Sequence, residues 1–249
     1  MKKKLFLLAV LVFPIVVLGQ TFHKNLDEIN VTPPAFTGIQ KAVTLPESVV
    51  SDPLEAFLVE NFIYPDVAAE CYIEGTGIVQ FTVYPNGELS DFEVINSVCP
   101  AIDKEFIRVL KTTDGMWNPG YNNNTATSME KEVSMMFVAN RTNQQNSKAY
   151  FIKNAKKLFK KGNNLFLVKG NPKKALNYYE RSIKFMPYET SSLLLRGLCR
   201  FEMGDEKGAC SDWKRINAIG KYDADEFLEN LCELKGFAEM TQIINNNQE

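Results

Sequence analysis

The chain has 249 residues, with 28 Lys and Arg against 30 Asp and Glu and a single His. With 45% hydrophobic and 23% charged residues it has the makeup of one large globular domain or two small ones, which excludes collagen-like and wholly disordered chains. The lone His23 stands just behind an N-terminal apolar run, a poor place for a His-based triad or a multi-His metal site.

Lys2, Lys3 and Lys4 precede an apolar stretch from Leu5 to Leu18, broken only by Pro14, and Val17 and Gly19 suit the positions before a cleavage point. This pattern predicts a secretory signal over residues 1–19, cut before Gln20, and hence an exported protein. The run is shorter than the ~20 residues of a membrane span; the alternative is an uncleaved anchor in the inner membrane. It is the only long apolar run, which excludes a multi-pass membrane protein. No Cys lies near the cut for lipid attachment.

Without residues 1–19 the formal charge is −5. Residues 20–140 carry a net of −11 and residues 148–240 a net of +6. Opposite signs in the two halves argue for two domains.

Residues 20–44 hold Pro33, Pro34 and Gly38 without a sustained period and predict an extended lead-in. Asp52 as cap and Pro53 at the first helical position start a helix carrying Leu54, Phe57, Leu58 and Phe62, which Tyr64-Pro65 should end. A short second turn over Asp66–Glu70 follows. Gly75 to Tyr84 and Glu88 to Ser97 read as a hairpin, with Asn86-Gly87 supplying the positive φ angles of a tight turn. Gly75 and Gly77 indicate a bulge or a close backbone approach. Ile102, Phe106, Ile107 and Leu110 share one helix face. Trp117 to Gly120 breaks that helix, and the Asn-rich Tyr121 to Thr125 reads as a loop. Met129 to Ala139 alternates like a strand. The predicted fold class is α+β, with a small antiparallel three-stranded sheet packed with helices.

Residues 140–147 read as a linker. Beyond it the chain is helical and repeats at an offset of 34: Gly170 with Gly204, Ala175 with Ala209, Tyr179 with Trp213. That period marks an all-α helix–turn–helix array over residues 148–240. Asp223 to Leu234 would close it, and residues 241–249 form a polar tail.

Residues 45–139 resemble the TonB C-terminal domain family. The likeness rests on Tyr64-Pro65, on Ile73-Glu74-Gly75, on Val79 to Ser97 with Pro85-Asn86-Gly87 at its turn, on the helix around Ile102 to Leu110, and on Trp117, Pro119 and Gly120. It implies a partner peptide that adds as a strand to the sheet edge, here Glu130, Glu132, Val133, Ser134, Met135 and Phe137. Val133, Met135 and Phe137 equally fit the core face of a strand. Tyr64, Pro65, Gly75, Asn86, Gly87, Trp117, Pro119 and Gly120 read as structural. The family transmits inner-membrane energy to outer-membrane receptors. That role needs an anchor and a long stiff linker, whereas about 25 residues separate the apolar run from this domain, under roughly 90 Å when extended. An adaptor that binds proteins or peptides is the preferred expectation, and an anchored energy transducer for receptor-dependent transport is the alternative.

The second half resembles two tetratricopeptide repeats, carried by Gly170, Ala175, Tyr179 and Pro187, then by Gly197, Gly204, Ala209 and Trp213. It departs from the pattern by one extra residue between Gly162 and Gly170, and by Lys221 in place of the closing Pro. Two repeats and one helix fall short of the usual three, so packing on the first half or dimerisation should supply the rest. Lys148 to Lys184 holds eleven Lys and Arg and one acid, Glu180. This is either a basic surface for an acidic partner or anionic lipid headgroups, or a set of solvated faces partly turned to the acidic half. Membrane anchoring requires an uncleaved N-terminus. Nucleic acid is not expected for an exported, net-negative chain, and neither catalysis, cofactor nor metal is expected.

Five cysteines follow the export signal, so disulfides are permitted and at least one thiol is left over. Cys71 and Cys99 flank the hairpin and would meet if a bulge near Gly75 shifted its register. Cys210 opens one helix and Cys232 closes the next, while Cys199 also faces Cys210 across the Gly204 turn. Cys210–Cys232 is the preferred bridge, with Cys199 as a small buried apolar group; the alternative is five reduced thiols.

Overall fold

The computed structural model describes residues 30–38, 52–138 and 147–233. The signal segment, His23, the rest of the lead-in, residues 45–51, Ala139, the linker up to residue 146, Leu234 and the polar tail lie outside the described residues. Among the described residues no helix is long and apolar enough to cross a membrane.

Helix α1 spans Pro53–Asn61. The Asp52 carboxylate accepts from the Leu54 amide at 3.0 Å, satisfying one of the donors a helix start leaves open. Leu54 and Leu58 face inward. Tyr64-Pro65 stops the helix, and α2, Asp66–Glu70, starts from Pro65. Strands β3 (Gly75–Val83) and β4 (Leu89–Asn96) make the hairpin. Its turn differs from the expected one. Pro85 holds its own φ negative, and of Asn86 and Gly87 only Gly87 has positive φ, at +84°. Gly87 N–H donates to Tyr84 O and Tyr84 N–H to Glu88 O, both at 2.9 Å, the arrangement of a type I turn closed by a left-handed glycine.

Helix α3, Pro100–Lys111, buries Ile102, Phe106, Val109 and Leu110. Its Asp103 carboxylate accepts from Val98 N–H at 2.9 Å. Strand β8, Met129–Phe137, pairs antiparallel with β3 along nine consecutive positions, from Gly75↔Phe137 to Val83↔Met129. The sheet order is β4-β3-β8. The pleat sends alternate residues to opposite faces. Val79, Phe81 and Val83 join Val133, Phe137 and the α3 residues in one core.

The stretch from Trp117 to Thr127 is not the plain turn and loop expected. Strands β5 (Trp117–Asn118), β6 (Gly120–Asn122) and β7 (Thr125–Thr127) occupy it. Asn123 and Asn124 both take positive φ, +47° and +64°, and turn β6 into β7, as side chains that tolerate the left-handed region can. The lead-in supplies partners. Strand β1 (Val31–Thr32) pairs with β6, and β2 (Ala35–Phe36) with β5. Phe36 thereby lies edge-on to Trp117 at 5.5 Å.

The described part of the second half starts at Ser147, already helical. Its helices are α4 (Ser147–Asn163), α5 (Pro172–Phe185), α6 (Thr190–Glu202), α7 (Glu206–Ala218) and the short α8 (Asp225–Phe227), which runs into a π-helical segment, Leu228–Glu233. Short connections fold α4 against α5, and α6 against α7. The Gly162 backbone lies against the Tyr179 ring, where a Cβ would come within 2.7 Å, and Gly197 lies against Trp213, where it would come within 2.3 Å. Asn171 and Asp205 cap α5 and α7 alike, accepting from Lys174 and Gly208 amides. The extra residue before Gly170 is absorbed by a π-helical turn, Asn164–Val168, the form in which an α-helix accommodates a single insertion.

Candidate functional site

Strand β8 ends the sheet, and among the described residues no strand pairs with its outer edge. An edge strand presents unpaired main-chain donors and acceptors to any extended chain that arrives. Of the residues expected to form a docking edge, Val133 and Phe137 are buried in the α3 core and Met135 packs against it. Their side chains serve the core, so at these three positions only the backbone could meet a partner. Glu130, Glu132 and Ser134 belong to the other face of the pleat, where Glu130 and Ser134 are exposed.

That other face is held by the helical half. Ile78 is completely buried yet lies outside the α3 core. Thr76 Oγ1 donates to the Phe185 carbonyl at 2.8 Å. A Cβ on Gly75 would sit 2.9 Å from Lys184 Cγ, so this glycine is a point of close approach rather than a bulge. The bulges of the hairpin lie further on, at Ile78/Val79 and Gln80/Thr82. Glu132 is clamped by both Nη atoms of Arg215, at 2.6 and 2.7 Å, and accepts from Tyr188 Oη at 2.7 Å. The Arg215 guanidinium lies 5.6 Å from the Tyr188 ring centroid. Burial pushes the Glu132 carboxyl up, but the bonds from Arg215 and Tyr188 outweigh it and hold the group below its ordinary value. Burial and the neighbouring Glu132 carboxylate push the Tyr188 phenol up to about 12.

Tyr188 and Arg215 had no mark in the sequence. Arg215 is 83 residues from Glu132, beyond the reach of any periodicity. Pro187, singled out as the end of a repeat, is buried in the turn just before Tyr188 and aims that ring at the sheet.

The remaining family positions carry structural contacts. Tyr64 donates to the Ile73 carbonyl, and burial pushes its phenol up to about 12. Pro65 precedes α2 at its cap. Asn86 and Gly87 form the hairpin turn, Asn86 Oδ1 accepting from Glu88 N–H at 3.1 Å. Trp117 is 4% exposed and donates to Thr113 Oγ1 at 2.9 Å. Pro119 separates β5 from β6, and Gly120 lets Met129 lie on the backbone, where a Cβ would meet its sulfur at 2.3 Å. In the helical half Ala175, Tyr179, Ala209 and Trp213 are fully buried, and Gly170 and Gly204 turn the chain with φ of +57° and +83°.

Cys210 and Cys232 are bonded, with Cα atoms 5.7 Å apart. Cys199 is free and buried, and burial pushes its thiol up to about 12. The pairing of Cys71 with Cys99 is not made: both are free, and Cys71 is exposed. The hairpin explains why. Its two bulges advance the register from Val83↔Leu89 to Ile78↔Asn96, away from the shift that would set Cys71 opposite Cys99. Beyond Gly75 the chain leaves the ladder for α2.

Residues 60–139 match the family model described as Gram-negative bacterial TonB protein C-terminal. The NMR solution structure of the TonB C-terminal domain of Helicobacter pylori is similar at 16% identity over 35% of this chain and 91% of that one, with a TM-score of 0.30. No curated protein matches the chain. The family match supports a TonB C-terminal domain in the sheet half, a third of the chain.

Proposed function

We propose that this protein is a periplasmic binding or adaptor protein whose β8 edge takes up an extended peptide, such as a segment of an outer-membrane receptor. It works by main-chain pairing, without chemistry. One observation carries the reading: β8 is fixed in place, its inward face packed on α3 and its Glu132 held by Tyr188 and Arg215, while its outer edge has no strand partner among the described residues. The helical half fits a pair of tetratricopeptide repeats. In this reading the two repeats and the last helical segment replace a missing third repeat by packing on the sheet.

Proline substitutions at consecutive positions test the docking edge. Backbone donors of a strand point alternately to its two sides, so of Val133→Pro and Ser134→Pro one removes a bond to β3 and the other an outward donor. The expected result is that the variant keeping its β3 bond stays folded and loses binding to a receptor-derived peptide, followed by amide shifts of β8. Undiminished binding in that folded variant would sink the proposal. A second reading, the anchored energy transducer, is favoured by the TonB family match. Sequencing the N-terminus of the native protein decides between them: a start at Gln20 with release among periplasmic contents supports the adaptor, and retained Lys2 to Lys4 in the inner membrane supports the transducer.

A further inference from the structure

The charge of the helical half is not spread over it. Between residues 147 and 184 there are eleven Lys and Arg and one acid, and between 185 and 233 six and ten. The positive surface therefore belongs to the α4–α5 hairpin alone. Lys153, Lys156, Lys157, Lys160 and Lys161 line an open groove along α4. Among the described residues none of these lysines, nor Lys169, Lys173 or Lys174, makes an ion pair; every ion pair found lies elsewhere. Unlike the acid-paired arginines of α6, they stay electrostatically available.

The tip of the same hairpin carries an unusual pair. Leu167 and Val168, in the π-helical turn, are 65% and 74% exposed. They are bracketed by exposed cations: Lys160 and Lys161 one to two turns before, Lys169 beside them, Lys173 and Lys174 just after. Next to the tip is an open hollow lined by Lys160, Lys161, Asn164, Leu165 and Tyr178. Its two ammonium groups and one amide are donors for a phosphate, and Lys161 Nζ is held 5.8 Å from the Tyr178 ring centroid. Exposed aliphatic side chains at a hairpin tip, ringed by flexible cations, satisfy two demands of a lipid–water boundary: apolar groups enter the acyl region while long amines reach phosphates. A soluble acidic protein would need the cations and leave Leu167 and Val168 without purpose.

We propose that the tip of the α4–α5 hairpin docks on an anionic phospholipid bilayer, with Leu167 and Val168 entering the surface and Lys160, Lys161, Lys169 and Lys173 meeting headgroup phosphates. The contact is peripheral and reversible, and it is separate from the β8 edge, which it leaves open. A protein released from its signal segment would thereby still reside at a membrane surface.

The test is co-sedimentation of the full chain with phosphatidylcholine vesicles, with and without about one-third phosphatidylglycerol. Binding is expected only with the anionic lipid, and it should weaken when salt rises to about 0.5 M. Lys160→Glu with Lys161→Glu should lower the affinity about tenfold or more. Leu167→Ser with Val168→Ser keeps every charge and, at such exposed positions, the fold, which its melting temperature verifies. It should lower the affinity about tenfold or more as well. Equal binding by this tip variant and the parent, or equal binding to vesicles lacking phosphatidylglycerol, overturns the proposal. So does capture by soluble polyglutamate, unchanged in the tip variant, without vesicle binding: that result assigns the face to an acidic protein.

Discussion

Gly162 and Gly197 give up a side chain for the same purpose, each letting a buried ring, Tyr179 or Trp213, lie on the helix backbone. Around that shared crossing the two hairpins part. At the same step on α6, just before Gly197, Arg196 bonds Asp212, whose carboxylate also takes Arg200 at 2.8 Å. In the first hairpin the corresponding pair is Lys161 and Tyr178, a cation near a ring. One hairpin neutralises its basic groups inside; the other keeps them outside. A helical hairpin can thus hold its packing constant while its polar contacts decide whether it serves the interior or the surface.

The sharpest test of this contrast is Asp212→Ala. It strands two partly buried guanidiniums beside a carboxylate site that is only 2% exposed, and it should cost about 3–5 kcal/mol of stability in urea unfolding. Tyr178→Ala should cost under about 1 kcal/mol, since an exposed cation near a ring contributes little. A similar cost at both positions would break the contrast. Removing the Cys210–Cys232 bond with Cys210→Ser should cost about 2–4 kcal/mol, read as a lowered denaturation midpoint that reductant reproduces in the parent protein.

Gly197→Ala and Gly162→Ala follow. Alanine favours a helix by about 1 kcal/mol over glycine, but its methyl would strike a ring that cannot retreat, and overpacking of about 1–3 kcal/mol wins. The loss should be larger at Gly197, where the contact is tighter. A gain of stability at both positions would show that the rings yield.

A pH-dependent effect concerns the seam between the halves. The Glu132 carboxyl is held below its ordinary value of 4.5, so its contribution is fully present above that value. As pH falls through the lowered folded value, the carboxylate takes a proton and the stabilisation is lost. Glu132→Gln should therefore cost about 1 kcal/mol near neutral pH, and the difference from the parent should vanish in acid. A difference that stays constant with pH would mean that Arg215 and Tyr188 do not act through the charge.

Local pattern carried much of this fold. The hairpin around Pro85-Asn86-Gly87, the apolar face of α3 and the 34-residue offset were legible because each is a periodicity or a turn within a few residues. The π-helical turn was visible only as an extra residue before Gly170. The sheet partners of Val31 to Phe36 were not legible, since their pairing with Trp117 to Asn122 joins residues 81 to 91 positions apart. Strand β8 was readable as a strand, but its contacts with Tyr188 and Arg215 were not, because they depend on how two halves meet. The Cys71–Cys99 pairing failed for a related reason: a hairpin's register cannot be extrapolated through bulges that the side-chain pattern does not announce.

The Glu132 clamp also has a mechanical side. A peptide lying along β8 and drawn lengthwise would load the β3–β8 ladder in shear, so that its bonds resist together rather than opening one by one. Arg215 grips that same strand sideways from α7, and α7 is tied through Cys210 to the last helical segment. A tug on the sheet edge would therefore be felt across the helical stack, and the far end of the molecule becomes part of the strand's footing.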